Sequence, residues 1–358
     1  MRIDKLFYLC TALTVFALVS CTRAVQPRVE SLMGTVCTVN AYEYGTQELY
    51  DELFTRIAEI ENDFSVNIAS SYIAAINNAA GQRAVAVSAD VFFVVKTALQ
   101  YAELTDGAFD PTVGPLVKLW GINTDSARVP QQQEIDNALP LVNWRNVTIA
   151  ENADGSGSVL LSQRGMSLDL GGIVKGYAAD ELVKILQKRN VKRAIIDLGG
   201  NVFVYGKKKD GALWRVGVKD PDFPEGAPAL IARLTNSTVV TSGVYERFFV
   251  EDGIRYHHIL DTKTGCPADA GLLSTTIICE SSMAADALST SVFALGKERG
   301  MALLKKIAAA QHVHSTLAEI PGLHARVLGI FIDDAGAITA SQELESALES
   351  LKSNVIFE

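Results

Sequence analysis

Three glycine-bearing turns punctuate the second half of the chain: "DLGGIVKG" at 169–176, "DLGGN" at 197–201 and "TSGVY" at 241–245. A strand-like run leads into the first turn, which opens into a helical pattern from about Val174 to Lys188. The second turn joins two strands, a third strand follows "KKKDG", and residues 229–278 supply more strands broken by "TSGVY", "VEDG" and "DTKTGCPA". Hairpins dominate, and the regular βαβ alternation of a parallel sheet is missing. The expected fold class is therefore α+β.

The first half reads in the same mixed way. "RVESLMGTVCTVNAYE" is expected to be one strand, and residues 47–64 a helix with Leu49, Leu53, Ile57, Ile60 and Phe64 on its apolar face. A short helix at 72–77 and a longer one, capped by Ser88 and running to about residue 104, come next. "TDGAFDPTVGP" is too rich in Gly and Pro to continue that helix, "PQQQEIDNAL" starts another, and 144–170 reads as hairpin strands around "ADGSGS". Towards the C-terminus come helices at 281–296 and 298–309, strands at 327–332 and 337–340, and a terminal helix.

With 358 residues, 48% hydrophobic and 20% charged, the chain can bury one large core or two intimately packed ones. Residues 1–20 form a separate object: Arg2 and Lys5 precede an apolar run at 6–19 that is too short to span a bilayer and ends in "LVSC". This pattern resembles a bacterial lipoprotein signal, with cleavage before Cys21 and lipid on its thiol. Residues 21–28 would then be a lipid-anchored tether on the periplasmic side of a membrane, and 29–358 the folded domain. Loss of Arg2, Asp4 and Lys5 would take the net charge from −9 to −10, so no basic stripe is expected to bind nucleic acid. Cys37, Cys266 and Cys279 have no metal-ligand spacing and are read as packing residues.

Chemistry enters at two places. In "SSMAADALSTSVFALG" (281–296) the small and apolar residues have helical spacing, yet Asp286, Ser289 and Thr290 lie within one turn of each other. They are either a solvated helix face or half of a cation site. A glycine-rich turn feeding a helix N-terminus, as at 169–176, can present several N–H groups to an anion, and Lys175 can add a charge. It is neither a Walker A loop nor a G-x-G-x-x-G fingerprint.

"SLMGT", "TDGAFDPTVGPLVKLWG", "LDLGGIVKGYAAD", "IIDLGGNVFVYG", "TSGVYERFF", "RYHHILDTKTGCPA" and "AADALSTSVFALG" follow one another from about residue 31 to 300. Together they resemble the ApbE family of flavin transferases. The resemblance implies a T-fold-related architecture of antiparallel sheets flanked by helices, with a ligand cleft between two closely packed subdomains. It also implies transfer of the FMN half of FAD to a Ser or Thr hydroxyl of an acceptor, typically a subunit of a membrane redox complex, with AMP released.

Carried over residue by residue, the resemblance puts Asp286, Thr290 and the backbone of Gly172 at a Mg²⁺ site, whose hard oxygen ligands suit that ion. It puts Met33, Gly107, Ala108, Phe109, Asp169, Lys175, Leu260 and Ser289 around the FAD. His258 is a candidate general base beside Asp286, with a structural strand histidine as the plain alternative. Where the family commonly reads F-S-x-Y, this chain has Phe64–Ser65–Val66–Asn67, so Asn67 stands in place of a stacking aromatic. That departure implies FAD pyrophosphatase activity, FAD to FMN and AMP, beside transfer. The alternative from another class is a non-catalytic periplasmic lipoprotein that binds or stores FAD.

Overall fold

The computed structural model describes residues 26–310, 316–351 and 355–358, so the signal and Cys21 lie outside the described residues. The segment expected as one strand is a hairpin, β1 (Arg28–Leu32) with β2 (Thr35–Asn40). Met33 and Gly34 both take positive φ, 54° and 67°, as a two-residue hairpin turn of matching twist requires. A methionine in that region gave no turn signal in the sequence.

The helices follow their patterns more closely. Helix α1 (Gln47–Phe64) buries Leu49, Leu53, Ile57, Ile60 and Phe64, as the spacing required. Next come α2 (Tyr72–Asn78), β3 (Val85–Val87) and α3 (Ala89–Leu104), whose N-terminus Ser88 caps by accepting from the Val91 N–H at 3.4 Å. The Gly- and Pro-rich stretch ends α3 but then forms a further helix, α4 (Gly114–Trp120), which the sequence reading missed. Pro115 suits its first turn, and left-handed Gly121 closes it at φ 58°. After α5 (Gln132–Ala138), β4 (Val147–Glu151) and β5 (Gly157–Leu161) form the expected hairpin, on which β3 pairs.

The second half contains α6 (Val174–Lys188), β6 (Arg193–Leu198), β7 (Asn201–Gly206), β8 (Trp214–Val218), β9 (Leu230–Leu234) and β10 (Ser237–Gly243). Then follow the two-stranded ribbon β11 (Phe248–Glu251) and β12 (Ile254–His257), β13 (Leu272–Cys279), α7 (Ser282–Leu295) and α8 (Lys297–Ala310). The chain ends in β14 (Leu328–Asp333), β15 (Ile338–Ala340), β16 (Leu348–Ser350) and β17 (Val355–Phe357). The expected terminal helix is thus replaced by strands: β16 pairs with β9, β17 pairs in parallel with β15, and Leu344 is buried between these pairings. Tertiary pairing overrides the helix propensity of "SQELESALES".

One nine-stranded sheet, in the order β1-β2-β6-β7-β10-β13-β14-β15-β17, carries the architecture. Alternation along its strands feeds two cores. Ile277 joins the helical side with α1, α6, α7 and α8, whereas its neighbour Ile278 joins the opposite face, which the small sheet β16-β9-β8 covers. A third apolar cluster gathers Leu116 and Trp120 of α4, Ile135 of α5 and Leu260. The fold is mixed α and β with antiparallel sheets, as expected. No described helix is long and apolar enough to cross a membrane.

Candidate active site

A cavity of about 360 Å³ opens between the α4 cluster and the main sheet. Three of its walls are the glycine turns identified in the sequence, brought together because each sits at a strand end or helix start. Asp169, Gly171, Gly172 and Lys175 come from the turn into α6, Asp197, Gly199 and Gly200 from the β6–β7 turn, and Thr241 and Ser242 from the end of β10. Phe109, Val117 and Trp120 make an apolar end, while Asp286 and Thr290 of α7 line the polar side.

Helices α6 and α7 approach closely enough to share atoms of the site. A Cβ on Gly176 would lie 2.2 Å from the Ser282 carbonyl oxygen, so only glycine lets the helices meet there. The Gly176 N–H then donates to Asp286 Oδ2 at 2.9 Å, which fixes one carboxylate oxygen of a residue that is 4% exposed. The other oxygen, Oδ1, is 3.7 Å from Lys175 Nζ, and that ammonium also donates to the Gly171 carbonyl at 3.2 Å. Asp180 of α6 sits at the opposite end of this contact. It accepts from the Ser282 and Met283 N–H groups at 2.7 and 3.1 Å and from Ser281 Oγ, holding the N-terminus of α7. Burial pushes the Asp180 carboxyl up to about 6, against those three hydrogen bonds.

The residues present fit a Mg²⁺ ion. Asp286 offers one carboxylate, and Thr290 Oγ1 makes only a long 3.5 Å bond to the Asp286 carbonyl. Gly172 is so close that a Cβ there would stand 3.4 Å from that hydroxyl. Among the described residues no group of three or more His, Cys, Asp or Glu side chains could hold a metal. A hard-oxygen set of this size leaves most of the shell to water and ligand phosphates, which is how Mg²⁺ is commonly held.

The two histidines of "RYHHIL" differ. His257 is buried and uses both ring nitrogens, Nε2 on the Ala268 carbonyl at 3.1 Å and Nδ1 accepting from the Ile259 N–H at 3.3 Å, so it is structural. His258 lines the cavity, with Nδ1 at 3.3 Å from the Arg247 carbonyl. A carbonyl only accepts, so Nδ1 carries the proton and Nε2 keeps a lone pair. Burial first, then Arg247 and Lys175, push its imidazole down to about 3.

Of the residues expected at the site, Ala108, Phe109, Asp169, Gly172, Lys175, His258, Leu260, Asp286 and Thr290 line the cavity. Two stand one hydrogen bond behind it. The Gly107 carbonyl accepts from Thr262 Oγ1 at 2.6 Å, and Ser289 Oγ accepts from Ser242 Oγ at 3.0 Å; Thr262 and Ser242 are lining residues. Met33 lies apart, its N–H donating to Glu61 Oε1 at 2.8 Å, and Asn67 is exposed in the turn after α1. Asn201 was missed. It is buried at 1% exposure and lines the cavity, its Oδ1 accepting from Ser282 Oγ at 2.5 Å, while Nδ2 has no partner among the described residues. "DLGGN" marked its turn, but no sequence signal announces an orphaned amide.

The ApbE family model matches residues 33–313. A FAD:protein FMN transferase of Treponema pallidum is 39% identical over 293 residues, 78% of this chain and 81% of that protein. One from Klebsiella pneumoniae is 40% identical over 77% of this chain and 84% of its own length. The crystal structure of the ApbE protein of Thermotoga maritima superposes with a TM-score of 0.78 at 32% identity, covering 90% of this chain and 98% of the other. With most of its length matched in sequence and in structure, the chain belongs to the ApbE family.

Proposed function

We propose that the chain is a Mg²⁺-dependent FAD:protein FMN transferase that works from a lipid anchor at Cys21 on the periplasmic side of a membrane. The acceptor's Ser or Thr oxygen attacks the phosphorus of the FMN half, the bond to the AMP oxygen breaks, AMP leaves, and the hydroxyl proton passes to a base. The observation that carries this reading is the meeting of Asp286, Thr290, Lys175 and the Gly171–Gly172 backbone at one wall of the cavity. Lys175 would bind the pyrophosphate as a point charge, and the glycine turn would let phosphate oxygens approach the backbone. When bound, Mg²⁺ supplies charge neutralisation on the phosphates. His258 Nε2, unprotonated and in the cavity, or Asp286 would take the hydroxyl proton.

Water can replace the acceptor, and FAD pyrophosphatase activity is the second part of the proposal. It rests on Asn67, which lacks the flat ring the family usually has there; stacking of that kind is worth roughly 1–3 kcal/mol. A storage lipoprotein would need the apolar pocket but not the buried acid and hydroxyl of α7, so that reading is less well supported.

Incubation with FAD and Mg²⁺, with and without a Ser- or Thr-bearing acceptor peptide, resolves the products. Flavinylated peptide with AMP is expected when the acceptor is present, and FMN with AMP when it is not. Absence of AMP from both reactions would contradict both activities. Asn67→Tyr is expected to tighten FAD roughly tenfold and to suppress hydrolysis. Unchanged affinity and hydrolysis would remove Asn67 from the explanation.

A further inference from the structure

Two stretches at one end of the main sheet, 188–193 and 207–210, hold seven cations and one carboxylate in a chain of net charge −9. Register brings them together. Arg193 opens β6 opposite Gly206, so the lysines that follow β7 emerge beside the end of α6. The carboxylates nearby are engaged: Glu43 with Arg193, Glu52 with Arg189 and Asp51 with Arg28. Asp210 Oδ1 accepts from the Ala212 N–H within its turn, and Glu48 stands exposed in the first turn of α1. Among the described residues, Lys188, Lys192, Lys207, Lys208 and Lys209 have no carboxylate within ion-pair reach. Lys208, Lys209 and Arg193 also border a shallow depression floored by Trp214 and Tyr42, with Leu213 38% exposed beside it.

The N-terminal tether leaves from this same end. Arg28 pairs with Val39, and the adjoining Asn40 pairs with Ile195, so the start of β1 lies beside the start of β6. The cavity is at the other end, where Leu198 leads into Gly199, Gly200 and Asn201. Arg193 and Leu198 are five residues apart along β6, roughly 17 Å at the rise of a strand. From Cys21 to Arg28 the chain can reach at most about 25 Å, which keeps this end of the sheet near any membrane that holds the lipid.

We propose that the basic end formed by 188–193 and 207–209 is a docking surface for an anionic phospholipid bilayer. It sets the chain on its membrane with the flavin cavity turned away, open to an acceptor. Lysine clusters next to a membrane attachment bind anionic headgroups, each lysine at the surface tightening attachment about fivefold at low salt. The proposal rests on the lipid anchor at Cys21 inferred above, and the experiment separates the two.

The full chain, expressed in a bacterium with its N-terminal segment intact, is floated with vesicles of phosphatidylcholine alone and of phosphatidylcholine with phosphatidylglycerol, and amide hydrogen exchange is read by mass spectrometry. The chain is expected to float with both. Exchange at 188–193 and 205–214 should slow several-fold only with phosphatidylglycerol, and the slowing should vanish in high salt. A variant carrying Lys207→Glu, Lys208→Glu and Lys209→Glu should still float and turn over FAD in detergent, but lose the protection. Equal exchange in the two vesicle types overturns the docking surface. Flotation with phosphatidylglycerol vesicles alone overturns the anchor and keeps the surface. Protection by polyglutamate but by neither vesicle assigns the patch to an acidic protein and overturns the bilayer.

Discussion

A carboxylate buried on an apolar helix face is costly unless something pairs with it, and Asp286 has a backbone N–H on one oxygen and an ammonium near the other. The sequence showed an acid and a hydroxyl four residues apart on one helix, which told their shared face but not their burial. Burial depends on α6, whose Gly176 is 110 residues away in sequence. Asn201 was illegible for a related reason: its Oδ1 is held by hydroxyls from β10 and α7, and only that fixes which end of the amide is left over. His258 leads to a pH prediction. Because its imidazole is held down at about 3, it stays neutral from about pH 4 upward. The pH profile of FAD turnover should therefore show no inflection near 6.5 that disappears in His258→Gln. An inflection there, lost in the variant, would show a histidine that titrates normally.

At the scale of elements, the helices were the most legible part, since α1 and α6 follow directly from apolar spacing and α3 starts at its Ser88 cap. The β1–β2 turn, α4 and the C-terminal strands were not. A positive-φ methionine, a helix restarted after a Pro-rich stretch, and strands that exist only because β9 and β15 offer edges are products of tertiary context. The α6–α7 contact carries a stability prediction. Asp180 is raised to about 6 in the fold from an ordinary value near 4. Between those values the folded state holds the proton more tightly than the unfolded chain, so this group makes stability fall as pH rises from about 4 to about 6 and flat outside that window. Asp180→Asn should remove that slope in denaturant unfolding measured across the window. It should also weaken the cap on α7, because an amide offers one acceptor oxygen where the carboxylate offers two. A slope that persists unchanged would mean that another group causes it.

For the whole molecule, the sequence could set out seven motifs in order but could not show that six of them, all but "SLMGT", converge on one cavity. The nine-stranded sheet does this, bringing the end of β10 and the β6–β7 turn to one side of the cavity, while α6 and α7 on the helical face supply Lys175 and Asp286. The same sheet separates the cavity from the basic end by the length of a strand, so binding of flavin and contact with a membrane need not compete. Crystals soaked with FAD and Mn²⁺ in place of Mg²⁺ test the cation site most directly, because manganese scatters anomalously. The expected result is one anomalous peak within about 2.0–2.3 Å of the Asp286 carboxylate and Thr290 Oγ1, bridged to the FAD pyrophosphate and absent from Asp286→Ala crystals. A peak held by other side chains, or pyrophosphate bound in the cavity with no metal at Asp286, would contradict it.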